Sequence, residues 1–120
     1  LPQEFRVFLA SLRSSGCQAR VVIFSGEAPG EGLLAVAETF GAEVLEYDFA
    51  ELSAEHGPMN THRFELFRRF LAQSDTGFSQ VLLCDVRDVM FQEDPFATLS
   101  VAQGIGVAIE PVHLSIGACD

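Results

Sequence analysis

Val21-Val22-Ile23-Phe24-Ser25-Gly26 is a short run of β-branched and aromatic residues closed by two turn formers. Four apolar residues in a row, without polar alternation, predict a strand buried on both faces, as in a parallel sheet. A parallel neighbour needs a crossover, and the next residues supply one. Leu33, Val36, Ala37 and Phe40 recur at helical spacing, Gly41 stands where a left-handed stop belongs, and residues 43 to 47 read as the second strand. Ahead of this unit, Phe5, Phe8, Leu9 and Leu12 mark a helix over residues 2 to 15, with Pro2 suited to its first turn and Gly16 to its end. Behind it, residues 48 to 60, which include Gly57-Pro58, predict a polar connection with about one helical turn. A third helix is expected from near Thr61 through Phe64, Leu66, Phe67, Phe70 and Leu71 to Gln73. Val81-Leu82-Leu83-Cys84 is the most apolar strand candidate, and residues 106 to 110 are the last. Helices and strands alternate throughout, so the expected fold class is α/β with a mostly parallel sheet flanked by helices. Because the chain opens on a helix and stops shortly after a strand, residues 1 to 120 are read as a single partial domain, with a first βα step and a C-terminal region expected elsewhere.

A chain of 120 residues with 48% hydrophobic content has room for one modest core. Seventeen acidic against seven basic residues give a formal charge of −10, which repels nucleic acid and anionic membrane surfaces. Every base is an arginine, so a phosphate-bearing ligand would have to be held by a metal ion or by placed arginines. No apolar run approaches the ~20 residues that cross a bilayer, so this segment is expected to make no membrane contact. Cys17, Cys84 and Cys119 are too widely spaced for a Cys-x-x-Cys metal site, and their odd number argues against a self-contained disulfide framework.

Ligands of open α/β sheets gather at the carboxyl ends of strands, and Asp85 directly follows the most apolar strand candidate. Asp88 stands three residues on. Carboxylates at that spacing point to opposite faces of a continuous strand, so they can share a ligand only if the chain turns at Val86-Arg87. Paired carboxylates suit Mg²⁺ or Mn²⁺, hard cations that bridge protein oxygens to a diphosphate. The competing reading has Arg87 pairing with Asp85 or Asp88 at the surface.

Phe78-Ser79-Gln80-Val81-Leu82-Leu83-Cys84-Asp85-Val86-Arg87-Asp88-Val89-Met90-Phe91-Gln92-Glu93-Asp94-Pro95-Phe96, preceded by Arg63-Phe64 at the head of a helix, resembles a family of GT-A nucleotide-diphospho-sugar transferases. More broadly it is similar to the Asp-x-Asp region of glycogenin-like transferases. The likeness covers residues 60 to 96 well, and residues 3 to 48 agree in kind. It implies a Rossmann-like GT-A fold and a metal-dependent glycosyltransferase. Such an enzyme moves a hexose or pentose from a nucleoside-diphosphate sugar to a hydroxyl of a glycan, protein or small-molecule acceptor, with Mn²⁺ or Mg²⁺ as cofactor. It also implies Asp88 as the second, metal-binding aspartate. Asp85 falls one residue before the family's first aspartate, which leaves metal ligation and ribose contact both open for it. For a eukaryotic source the resemblance implies the Golgi lumen, through an anchor outside this segment. Acceptor surface and catalytic base are expected beyond Asp120, so these residues alone are expected to lack turnover.

Arg63 bears on the same chemistry from a second direction. At roughly 100° per residue it falls inside the stripe of Phe64, Phe67, Phe70 and Leu71, while Arg69 points nearly opposite. An arginine on an apolar face needs either a carboxylate partner such as Asp85 or an anionic ligand, and the resemblance favours the donor diphosphate. Arg68 and Arg69 read as a solvated face, and Asp94-Pro95 as a helix cap followed by a first-turn proline. Gly26, Gly30 and Gly32 read as a plain loop, because Glu27 and Glu31 between them would repel a phosphate. His56, His62 and His113 lack metal-ligand spacing, and Glu110 is a minor candidate for an acceptor-facing residue. A haloacid-dehalogenase-like phosphatase would carry an acid where Arg87 stands. A phospho-accepting receiver needs a lysine that the chain lacks, and a dinucleotide-binding module needs a Gly-x-Gly-x-x-Gly turn that follows no strand here. A non-catalytic α/β interaction domain is the alternative from another class.

Overall fold

The computed structural model describes residues 2–74, 77–87 and 89–98. The elements run α1 (Pro2–Ser14), β1 (Val22–Ser25), α2 (Glu31–Phe40), β2 (Glu43–Glu46), α3 (Phe49–His56), α4 (Met59–Gln73) and α5 (Pro95–Thr98). β1 and β2 pair in parallel, with Val22 opposite Glu43 and Ser25 opposite Glu46. Among the described residues the fold is therefore α/β around a two-stranded parallel unit, with α2 as the crossover. Gly41 takes the left-handed conformation at φ 69° and closes α2, as its position predicts.

Alternation along β1 divides the layers. Ile23 points into a core made with Phe8, Leu9 and Leu12 of α1, Cys17, and Val36 of α2. Phe24 points the other way, where its ring meets Phe67 and Phe70 of α4 at 5.8 and 5.6 Å. The helices thus cover both faces of the strand, although only Ile23 within it is fully buried.

Arg13 ties the N-terminal part together in a way that the sequence did not announce. Its Nε donates to the Phe40 carbonyl at 2.9 Å, and Nη1 donates to the carbonyls of Cys17 at 3.1 Å and Ala19 at 2.8 Å. One planar fork therefore satisfies the end of α2 and the loop into β1, whose carbonyls have no helical partner. Arg13→Met keeps the stem and removes all of these donors. Charge-assisted bonds of this kind suggest a loss of about 3 kcal/mol in urea unfolding. An unchanged midpoint would mean that the fork is ornamental.

Three regions depart from the sequence-based expectations. Residues 48 to 60 contain a two-turn helix, α3, because Asp48 caps it by accepting from the Glu51 amide at 3.0 Å. Residues 81 to 84 join no ladder among the described residues, and Val81, Leu82 and Leu83 are exposed. An apolar run becomes a strand only where a neighbour presents matching backbone groups. The expected strand over residues 106 to 110 lies outside the described residues.

Candidate functional site

Because β1 and β2 run parallel, their carboxyl ends share one edge, and a cleft of about 570 Å³ opens there. Gly26, Glu46, Tyr47, Asp48, Phe49 and Ala50 line it. This is the position where open α/β sheets take ligands. Gly26 permits the shape: a Cβ at that position would stand 2.9 Å from the Phe49 ring and push the start of α3 away.

The floor behind this cleft is organised by His62, which is fully buried on α4. Its Nδ1 lies 3.0 Å from the Gly57 carbonyl, which can only accept, so Nδ1 carries the proton. In the neutral ring, Nε2 then accepts from the Tyr47 hydroxyl at 2.9 Å. Phe49 meets the same ring edge to face at 5.1 Å. Burial raises the Tyr47 phenol above its usual pKa and keeps it in the protonated form that can donate. His62 is thus a core histidine joining α3, α4 and the end of β2, consistent with its lack of ligand spacing. His56 is exposed and stands 3.7 Å from Glu55.

Arg63, the next residue on α4, faces a second hollow of about 210 Å³ lined by Arg63, Phe64, Phe67, Leu83, Cys84 and Asp85. Here the structure brings together two residues singled out from the sequence and 22 positions apart: Arg63 Nη1 donates to Asp85 Oδ1. Arg63 Nε is buried without an acceptor among the described residues, a desolvation that costs about 1–3 kcal/mol. The guanidinium also lies 5.1 Å from the centre of the Phe64 ring. Asp85 is 67% exposed, so its carboxylate is open to a further ligand. Partial burial pushes the Cys84 thiol up, and the Asp85 charge adds to the effect, which leaves it a poor nucleophile.

The other arginines near this hollow are engaged elsewhere. Arg68 and Arg69 both reach Glu65, and the Arg68 hydrogen bond, supported by that from Arg69, lowers the Glu65 carboxyl to about 2. Arg87 stands 3.6 Å from Glu4 on α1, so the proposed surface pairing with Asp85 is not the one formed. The chain bends at Val86 and turns at Arg87, the break that two carboxylates sharing a ligand would require. Asp88 itself, like Glu110 and His113, lies outside the described residues. On either side of the turn, Val86, Val89, Phe91 and Phe96 pack on the core. The Phe91 amide donates to Ser11 Oγ at 2.9 Å. Asp94 caps α5 by accepting from the Phe96 amide at 2.9 Å, as its place before Pro95 predicts.

No group of three His, Cys, Asp or Glu side chains converges among the described residues, and no helix among them is long and apolar enough to cross a membrane. Among the described residues Asp85 offers one exposed carboxylate at the rim of the hollow, and that carboxylate is paired with Arg63. Comparison of the chain with models of protein families, with curated proteins and with solved structures gave no match.

Proposed function

We propose that this chain is the donor-binding part of a metal-dependent glycosyltransferase of the GT-A type, which moves a sugar from a nucleoside diphosphate to a hydroxyl acceptor. The observation that carries the reading is the meeting of Arg63 and Asp85 at a hollow beside the Val86-Arg87 turn. In this reading Arg63 holds the donor diphosphate, and Asp85 with Asp88 holds Mn²⁺ or Mg²⁺. When bound, the ion supplies positive charge against the departing diphosphate. The cleft at the carboxyl edge suits the nucleoside: Phe49 and Tyr47 offer ring faces, and the exposed Glu46 and Asp48 offer acceptors for ribose hydroxyls.

Calorimetric titration of the full-length protein with a panel of nucleotide sugars, with and without Mn²⁺, tests this. One donor class should bind only with the ion, and Arg63→Met should weaken that binding by about tenfold or more. Failure of every donor to bind the wild type in the presence of Mn²⁺ would defeat the proposal. A second reading has its own observation, since Phe64, Phe78, Val81, Leu82 and Leu83 are all exposed. Apolar exposure on that scale suits a non-catalytic interaction domain, which would bind no donor in the same titration.

A further inference from the structure

We infer that the cleft at the carboxyl edge of β1 and β2 selects guanine among the bases. The inference rests on the donor-binding reading and divides the two acceptors of the cleft: Glu46 reads the base, and Asp48 keeps the ribose. Six residues line the cleft, and their polar side chains are Glu46, Tyr47 and Asp48. The Tyr47 hydroxyl, the one side-chain donor in this lining, is spent on His62 Nε2. A ligand therefore meets side-chain acceptors alone. Asp48 keeps one oxygen on the Glu51 amide, which fixes its carboxylate at the head of α3 and leaves the other oxygen open. Glu46 is exposed at the end of β2 and has no hydrogen bond or ion pair among the described residues, so both of its oxygens are open. Among the described residues no arginine lines the cleft, so its two carboxylates repel a phosphate and admit the uncharged end of a nucleotide.

A carboxylate with two open oxygens is complemented by two N–H donors side by side. Of the common bases, guanine alone presents that pair on its pairing edge, at N1 and the exocyclic N2. Uracil sets a single N–H between two carbonyl oxygens, while adenine and cytosine place an acceptor nitrogen beside their amino group. Each of these brings a lone pair against the charge of Glu46. The amides of Phe49 and Ala50, in the first turn of α3, have no partner within the helix, and both residues belong to the same lining. They suit the guanine O6. Phe49 is 43% exposed and supplies a ring for the base to stack on, with its place set by the His62 ring at 5.1 Å.

The test is calorimetric titration of the full-length protein, with Mn²⁺ present, using the diphosphates of guanosine, inosine, uridine and adenosine as probes. The guanosine compound is expected to bind about tenfold tighter than the inosine compound, which lacks only the N2 amine, and tighter than the other two. Glu46→Gln turns one acceptor into a donor, so the ratio of guanosine to inosine affinity should fall to about one. A merely structural role for this exposed side chain would leave that ratio where it was. Equal binding of the two diphosphates by wild type, or a ratio unchanged in Glu46→Gln, would overturn the inference. If that happens while any nucleoside-diphosphate sugar binds the wild type with Mn²⁺, the guanine assignment fails and the donor reading stands. If guanosine itself is preferred to inosine in a Glu46-dependent way, but no guanosine-diphosphate sugar binds tighter than guanosine, the assignment stands and the donor reading fails. Failure of every one of these probes to bind defeats both.

Discussion

If the proposed donor site holds a metal through Asp88, Asp88→Asn is expected to lower metal-supported sugar transfer about a thousandfold, with little change in stability. The amide preserves the shape of the side chain and removes the charge that a divalent cation requires of its ligands. Charge compensation of a leaving diphosphate is worth several kcal/mol, and each ~1.4 kcal/mol is tenfold in rate. Affinity for Mn²⁺ should fall in parallel. Asp85→Asn separates two roles for that residue: a comparable loss of turnover makes it a ligand, and a milder one makes it a ribose contact. Calorimetry with Mn²⁺ on wild type and Asp88→Asn is decisive, since equal binding by both returns the Asp85-Val86-Arg87-Asp88 stretch to surface electrostatics.

The second large effect is on stability. His62→Ala should cost about 3–5 kcal/mol, because it leaves a cavity at a fully buried position and strips partners from the Tyr47 hydroxyl and the Gly57 carbonyl together. Small domains have only ~5–15 kcal/mol in hand, so α3 and α4 should loosen well before the wild type unfolds. His62→Gln retains a side-chain donor and acceptor and should recover part of the loss. A shift below about 1 kcal/mol for the alanine variant in thermal or urea unfolding would show that the ring is dispensable.

Particular residues explain which parts of the fold were legible. The unit of β1, α2 and β2 was readable because its signals are local: a β-branched run, apolar residues at helical spacing, and Gly41 at a left-handed stop. Helix α3 was underestimated although Asp48 and Glu51 form a cap and its third residue on, a pattern that marks a helix start. Residues 81 to 84 misled because apolarity reports burial preference and says nothing of where a ladder partner lies. The Arg63 partner was legible as one of two options, since a charge set in an apolar stripe demands an answer. His62 was read only by what it lacked. Its role depends on Tyr47 and Gly57 converging from two different connections, which no spacing within one helix encodes. Arg13 was invisible for the same reason, its acceptors lying at the end of α2 and in the loop ahead of β1.

The exposed run ahead of Asp85 carries a consequence for how the protein behaves in a crowded solution. From Thr76 to Cys84 the sequence has no charge, and Val81, Leu82 and Leu83 stand open to solvent with no ladder among the described residues. Such a segment is a template for edge-to-edge pairing between copies of the chain. Charged residues flanking it act as gatekeepers, because stacking identical strands in register would bring their charges together. Asp85 closes the run on one side and Asp75 on the other. The carboxylate that answers Arg63 thus also stands in a gatekeeper position, and a variant that neutralises it is expected to lose solubility.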